Sequence, residues 1–358
     1  MAPLSPLQRA RLEKGRRGFA GGSFSVKTAA LLFFLSVPVL FPSFKTVDLA
    51  MKIMLFGVLV ASFDILLGYT GILSFGHGMF FGIGAYCVAL LGGKYGAPSY
   101  LNLALGLLLG GVVAAALALL ISFLSLRVKA IFFAMVTLAI AELAMVLAIK
   151  LSGFSGGEDG ISMSMPGMLA VSFTVGKVFG FEVTGRIVTY YLLLIACAGL
   201  FASMLRFIHS PLGHVLEAIR DNVQRADALG YKTFIFQGIS ITFGCIVASL
   251  AGGLYAMWVG YVNPESCLSV STIMLDILFM VIIGGMGTLY GGILGAAFVL
   301  VAQTFLPDLQ HLAARFFPHA PLLHNVLDRW LLLFGILFIL VVIFFPKGIL
   351  GTIRERWA

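Results

Sequence analysis

The chain has 358 residues, of which 60% are hydrophobic and 11% charged, with a formal net charge of +8. So little polar surface cannot cover a water-soluble globule, and with a mean hydropathy of +1.07 the chain reads as all-α, a polytopic transmembrane helical bundle. A β-barrel is excluded because its strands alternate apolar and polar residues at period two; nucleic acid is excluded because the basic residues are spread over short segments, not gathered on an aromatic-rich face.

Residues 1–27 form a basic tail that includes Arg9, Arg11, Lys14, Arg16 and Arg17. The apolar run Ala29 to Leu40 follows without an A-x-A cleavage site, so it reads as an uncleaved first span. Spans are predicted at about 28–44, 47–67, 72–93, 101–126, 130–151, 187–205 and 234–260, each near the roughly 20 residues a bilayer requires. The third begins in "GYTGILSFGHGMFFGIGAY", residues 68–86, which holds six glycines. Glycine weakens a helix, so such a stretch either packs backbone against a neighbour or breaks its helix beside a pathway. The residues leave both readings open, and Gly71, Ser74, Phe75, Gly76, His77 and Gly82 are the candidates. His77 is costly against lipid and is expected to face the bundle interior.

Few ionisable residues fall within the spans. Glu142 lies about 18 Å along the fifth span, near the bilayer centre, with Asp276 near the outer end of the eighth and Asp64 near the inner end of the second. An intramembrane carboxylate either serves transport or holds helices together. Of the two exterior segments, 152–186 carries Glu158 and Asp159 at its tip, and 306–324 carries His311, His319 and His324. No HExxH-like pair appears among them, so no metal is assigned. Cys87, Cys197, Cys245 and Cys267 lack CxxC spacing and read as small buried hydrophobes.

The inside loop 206–232 contains "SPLGHVLEAIRDNVQRADALGY". Ser210 suits an N-cap, Pro211 the first helical position and Gly230 a C-terminal cap, which predicts one helix from Pro211 to Leu229. Its apolar residues Leu212, Val215, Leu216, Ile219, Val223, Ala226 and Leu229 recur at three and four. Such an amphipathic helix either tucks against its own bundle or docks into a cytoplasmic partner.

A single crossing by the long run from Ser271 to Phe305 would put the two basic tails on opposite sides against the positive-inside rule, so it is expected to cross twice, and "GGMGTLYGG", with Gly284, Gly285 and Gly287, offers the turn on the cytoplasmic side. Crossing twice gives about ten spans and places both termini, including the tail 346–358, on the cytoplasmic side. Fifteen of the 23 Lys and Arg residues then lie inside and six outside, with Lys52 and Lys150 near span ends. There is no Walker A, HExxH or GxSxG motif, which argues against a P-loop or a membrane-embedded enzyme, and no cofactor is expected.

Six blocks in order, "FDILLGYTGILSFGHGMFFGIGAY", "VKAIFFAMVTLAIAEL", "SGGEDGI", "SPLGHVLEAIRDNVQRADALG", "MVIIGGMGTLYGGILGA" and "FPKGIL", together resemble the branched-chain amino acid ABC transporter permease family. The resemblance runs from about Ser62 to Ile349; the first 60 residues match poorly. It implies a permease domain over 28–345, in a bacterial-type inner membrane, that moves branched-chain amino acids or similar small polar organic solutes into the cytoplasm. It also implies two cytoplasmic ATP-binding subunits that hydrolyse the ATP, a homologous second permease subunit and an external substrate-binding protein. Pro211, Leu212, Gly213, Leu216, Glu217, Ala218, Ile219, Arg220 and Gly230 become the ATPase coupling helix, with the apolar face supplying docking energy and Glu217 and Arg220 orienting it. Two alternatives stand beside this one: a permease for urea or short-chain amides, and a secondary transporter working without ATP, whose midplane helix breaks the glycine stretches faintly resemble.

Overall fold

A computed structural model describes residues 32–40, 43–125, 130–170, 173–178, 181–316 and 330–357. The described chain is almost entirely helical. Helix α1 covers 32–40, followed by α2 (Phe44–Asp64), α3 (His77–Ala89), α4 (Tyr100–Ser125), α5 (Ala130–Lys150), the short α6 (Ser152–Ser155) and α7 (Gly185–Ile208). Then come α8 (Pro211–Asp221), α9 (Val223–Ala228), α10 (Thr233–Val259), the short α11 (Pro264–Cys267), α12 (Leu275–Gly284), α13 (Leu289–Phe316), α14 (Trp330–Phe344) and α15 (Gly348–Trp357). Two small antiparallel strand pairs lie at the end opposite α8: β1 (Ile161–Ser162) with β4 (Tyr261–Val262), and β2 (Thr174–Val178) with β3 (Phe181–Thr184).

Among the described residues, eight helical segments are long and apolar enough to cross a membrane: Phe44–Tyr69, Tyr100–Leu124, Ile131–Lys150, Gly185–Ile208, Thr233–Val259, Pro264–Gly284, Leu289–Pro307 and Leu331–Thr352. The count of about ten included two further segments. One is α1, whose flanks lie outside the described residues; the other is α3, with its π-helical extension Leu90–Lys94. The expectations for the tail 1–27, for Arg127 and Lys129, and for His319 and His324 also fall outside the described residues.

Small residues decide which helices sit together. A Cβ on Gly84 would run into the Ser249 carbonyl, and one on Gly252 into the Phe81 carbonyl, so α3 and α10 meet backbone to backbone. In the same way Gly292 of α13 packs on the Ala61 backbone of α2, and Gly82 faces Leu268 and the Cys267 carbonyl. Lipid is as apolar as a leucine side chain, so close approach and dispersion, not hydrophobicity, hold such helices together. Helix α2 is consequently the centre of the bundle, buried from Ile53 through Asp64.

Two expectations are corrected here. The helix predicted from Pro211 to Leu229 is two helices: Asn222 is extended (φ −163°, ψ 103°), and its side chain accepts from the Arg225 amide to cap α9. Asparagine competes with the backbone for such bonds, which makes it a better cap than helix interior. Ser210 stands at the N-cap of α8, but its hydroxyl donates to the Phe207 carbonyl (2.6 Å) and makes no capping bond. The C-terminal segment packs on the bundle, with Gly348 at the start of α15 against Gly284 and Gly285.

Candidate functional site at the helix break

The glycine stretch of residues 68–86 both breaks and packs. Helix α2 widens into a π-helical turn over Ile65–Tyr69, the chain leaves helical geometry from Thr70 to Gly76, and α3 starts at His77. Gly71 has φ +76°, a left-handed conformation that glycine adopts without strain. The excursion does not leave the bundle. Its ends lie beside Ser240 of α10 and Thr137 of α5, each seven residues, or about 10 Å, from the end of its helix nearest α8.

Irregular backbone at that depth persists only where protein groups satisfy it. Here hydroxyls do so. Thr70 Oγ1 donates to the Ile65 carbonyl (2.9 Å) and accepts from Ser240 Oγ (2.7 Å). Thr137 Oγ1 donates to the Ala134 carbonyl (2.9 Å) and accepts from the Phe75 amide (3.1 Å). Ser74 is buried, and Gly76 packs on the Thr137 carbonyl. His77 is fully buried, as expected for an interior-facing residue, with its ring 5.4 Å from that of Phe63 and Nε2 2.8 Å from Ser62 Oγ. Because the Ser62 hydroxyl donates to Leu59 O (2.7 Å), it accepts from His77, so Nε2 carries a proton.

Three segments far apart in the chain converge on the mouth of this break. Gly285–Thr288 is the turn between α12 and α13, and its Gly287 amide donates to Asp64 Oδ1 at 2.8 Å. Gly287 takes φ +80°, and Gly68 must lack a Cβ because the Gly287 backbone occupies that space. From α8, the Arg220 guanidinium donates to the Gly68 carbonyl while its stem lies against Gly71. Gly68, Ser62, Thr70, Thr137 and Ser240 were not among the sequence candidates, and Asp64 was noted as an ionisable residue at a span end without being placed at the break. Asp64 carried a readable signal, an acid four residues before a glycine at a span end, whereas the hydroxyls carried none.

The inner face of α8 belongs to its own chain. Leu216 and Ile219 are 1% and 0% exposed, and α8 packs on α7, α10 and the π-turn of α2. Gly213 is buried too, at a point where a Cβ would strike the Ile208 carbonyl. Leu216 and Ile219, expected to supply docking energy to a partner, are therefore covered by their own bundle, whereas Val223 and Leu229, counted in the same face, are exposed. What α8 presents outward is Pro211, His214, Ala218, Arg220 and Asp221, with Glu217 half-exposed and 3.7 Å from His214. Leu212 is partly buried, and Gly230 is an exposed turn residue at φ +90°.

Two other sequence candidates do not join the break. Asp276 opens α12 and receives both its hydrogen bonds, each 3.2 Å, from Gln303 Nε2 of α13. Glu142 is exposed on α5 and has no hydrogen-bond or ion-pair partner among the described residues. Among those residues no three His, Cys, Asp or Glu side chains cluster as a metal site would require.

A profile described as "branched-chain amino acid transport system / permease component" matches residues 45–342. The chain belongs to this permease family. It is similar to the high-affinity branched-chain amino acid transport system permease protein LivM of Salmonella typhimurium strain LT2, 29% identical over 353 residues, covering 94% of this chain and 77% of the relative. LivM of Escherichia coli strain K12 is 29% identical over 326 residues, 87% of this chain and 71% of the relative. The probable LivM of Methanocaldococcus jannaschii is 26% identical over 231 residues, 63% of this chain and 61% of the relative. No solved structure matches the chain. The family match starts at 45, ahead of Ser62, so it takes in α2 from its second residue on. Segments of the matched region thus meet in space: "GYTGILSFGHG", the α8 segment and "GGMGT" pack around one end of the permease, joined there by "FPKGIL", which lies just beyond the match's end at 342.

Proposed function

We propose that this permease is one of the two membrane subunits of an ATP-driven importer that moves branched-chain amino acids, or similar small polar organic solutes, into the cytoplasm. The observation that carries the reading is α8, a helix fastened to its own bundle by Leu216 and Ile219 while a polar face from Pro211 to Asp221 stands clear. A helix held this way is a rigid knob for a separate subunit, and the chain has no P-loop of its own. The partners are two ATP-binding subunits at the α8 end, a second permease and an external binding protein, with both termini cytoplasmic. Substrate class follows the relatives' names.

Glu142 fits the same reading. It sits mid-span among exposed Met135, Leu138, Leu143 and Val146. A carboxylate there is costly against acyl chains, so this face of α5 meets the second permease rather than lipid.

The test is purification from membranes followed by uptake of leucine, isoleucine and valine in proteoliposomes. ATP-dependent uptake by a complex containing an ATPase and a second permease is expected; uptake by this chain alone, down a gradient or with an ion, refutes the importer. Single cysteines at Met286 and Asp227, placed in a cysteine-free background, should react with impermeant thiol reagent only from the cytoplasm. One at Asp159 should react only from outside.

A further inference from the structure

Where α2 ends, its last carbonyls lose their helical partners. The Ile72 amide, which would bond to the Gly68 carbonyl in a continuing helix, bonds to the Leu66 carbonyl instead (2.9 Å). The Gly68 carbonyl is taken up by the Arg220 guanidinium, reaching across from α8. A cation at this position also sits at the negative end of the α2 dipole. The same guanidinium lies beside Gly287, with Nη1 3.2 Å from where a Cβ would stand, and the Gly287 amide in turn holds Asp64 four residues before Gly68. Arg220 also lies 3.7 Å from the exposed Asp221. One side chain of the surface helix therefore touches the end of α2, the first glycine of the break and the turn between α12 and α13.

We propose that Arg220 is a positioning residue that links α8 to the discontinuous helix, so that displacement of α8 is carried to the Gly68–Gly76 break and to the Gly285–Thr288 turn together. The geometry gives it this role because its guanidinium, although half-exposed and close to Asp221, is hydrogen-bonded to the Gly68 carbonyl of its own chain. The link rests on α8 being the ATPase contact. Wild-type complex lacking an ATPase defeats that reading, whereas the variants below address the link in a complex that retains it.

The experiment compares Arg220→Gln, Arg220→Ala and Arg220→Lys in the purified complex with its binding protein, measuring bound ATPase, melting temperature and leucine taken up per ATP hydrolysed. Gln and Ala should keep the ATPase bound and the melting temperature near wild type, yet lower uptake per ATP at least tenfold. Lys keeps one donor on a flexible stem and should recover part of that loss. Wild-type uptake per ATP in Gln and Ala overturns the proposal. So does release of the ATPase, which would make Arg220 a docking residue, or a fall in melting temperature that accounts for the lost uptake and that Lys does not reverse, which would make it a structural cap only.

Discussion

Helices α2 and α5 are both apolar enough to span a bilayer, and α2 is the less apolar of the two, yet the most apolar window of α2 is 89% buried and that of α5 only 22%. Apolarity alone thus fails to say which helix is central. What separates them is glycine, which α5 lacks, and the number of hydrogen-bonding residues, not small residues as such, of which α5 has as many, chiefly alanine. Helix α2 ends in Ser62, Asp64 and Gly68, each of which engages another segment; α5 turns Thr137 inward and leaves Glu142 outward without a described partner. In a medium that already solvates leucine, backbone approach and polar pairing choose the neighbours.

The comparison breaks most severely if glycine in the core is replaceable. Gly252→Leu should abolish folded permease, because the obstacle is the Phe81 backbone and the cost exceeds the roughly 1–3 kcal/mol of ordinary overpacking. Gly335→Leu in α14, where among the described residues no side chain and no other segment lies within 4 Å of a Cβ, should shift stability by no more than about 0.5 kcal/mol. Detergent-solubilised yield and melting temperature measure both. Equal tolerance at the two sites would remove small-residue packing as the organising force.

A second contrast concerns α8. Leu216→Asp should destabilise the isolated chain by roughly 3 kcal/mol or more, since it buries an unpaired charge. If the isolated chain melts as wild type and only the ATPase is released, the inner face docks a partner after all.

The smallest effect is expected on the outer side of α5. Glu142→Leu should leave the melting temperature of the chain alone unchanged but weaken its association with the second permease by about 1 kcal/mol, the usual size of a polar contact between membrane helices. Glu142→Gln should retain association because it still hydrogen-bonds. A lower melting temperature for the lone Leu variant would mean that the carboxylate is paired within the chain.

Much of this architecture was legible one segment at a time. The predicted spans 101–126, 130–151 and 234–260 correspond to Tyr100–Ser125, Ala130–Lys150 and Thr233–Val259, because a long uncharged run in a membrane has little choice but to be helical. Helix ends at Pro211, Gly284 and His77 sit close to residues that suit them: a proline at a first turn, a glycine pair, a glycine before the start. Less was legible at the site. Six glycines announced something unusual without saying whether they packed or broke the helix, and the structure shows Gly71 and Gly76 at the break and Gly82 and Gly84 in the packing. The amphipathic pattern of α8 read equally well as a face for a partner or for its own bundle.

The sequence by itself determined the helices, their order and the family, because these depend on local apolarity, chain punctuation and blocks in series. Only the tertiary structure decided that Arg220 would cap the Gly68 carbonyl, that Gly287 would hold Asp64, and that Leu216 and Ile219 would turn inward while Glu142 faced out. Those outcomes depend on which backbones can approach closely enough to touch, and that is settled jointly by residues as far apart as Asp64 and Gly287.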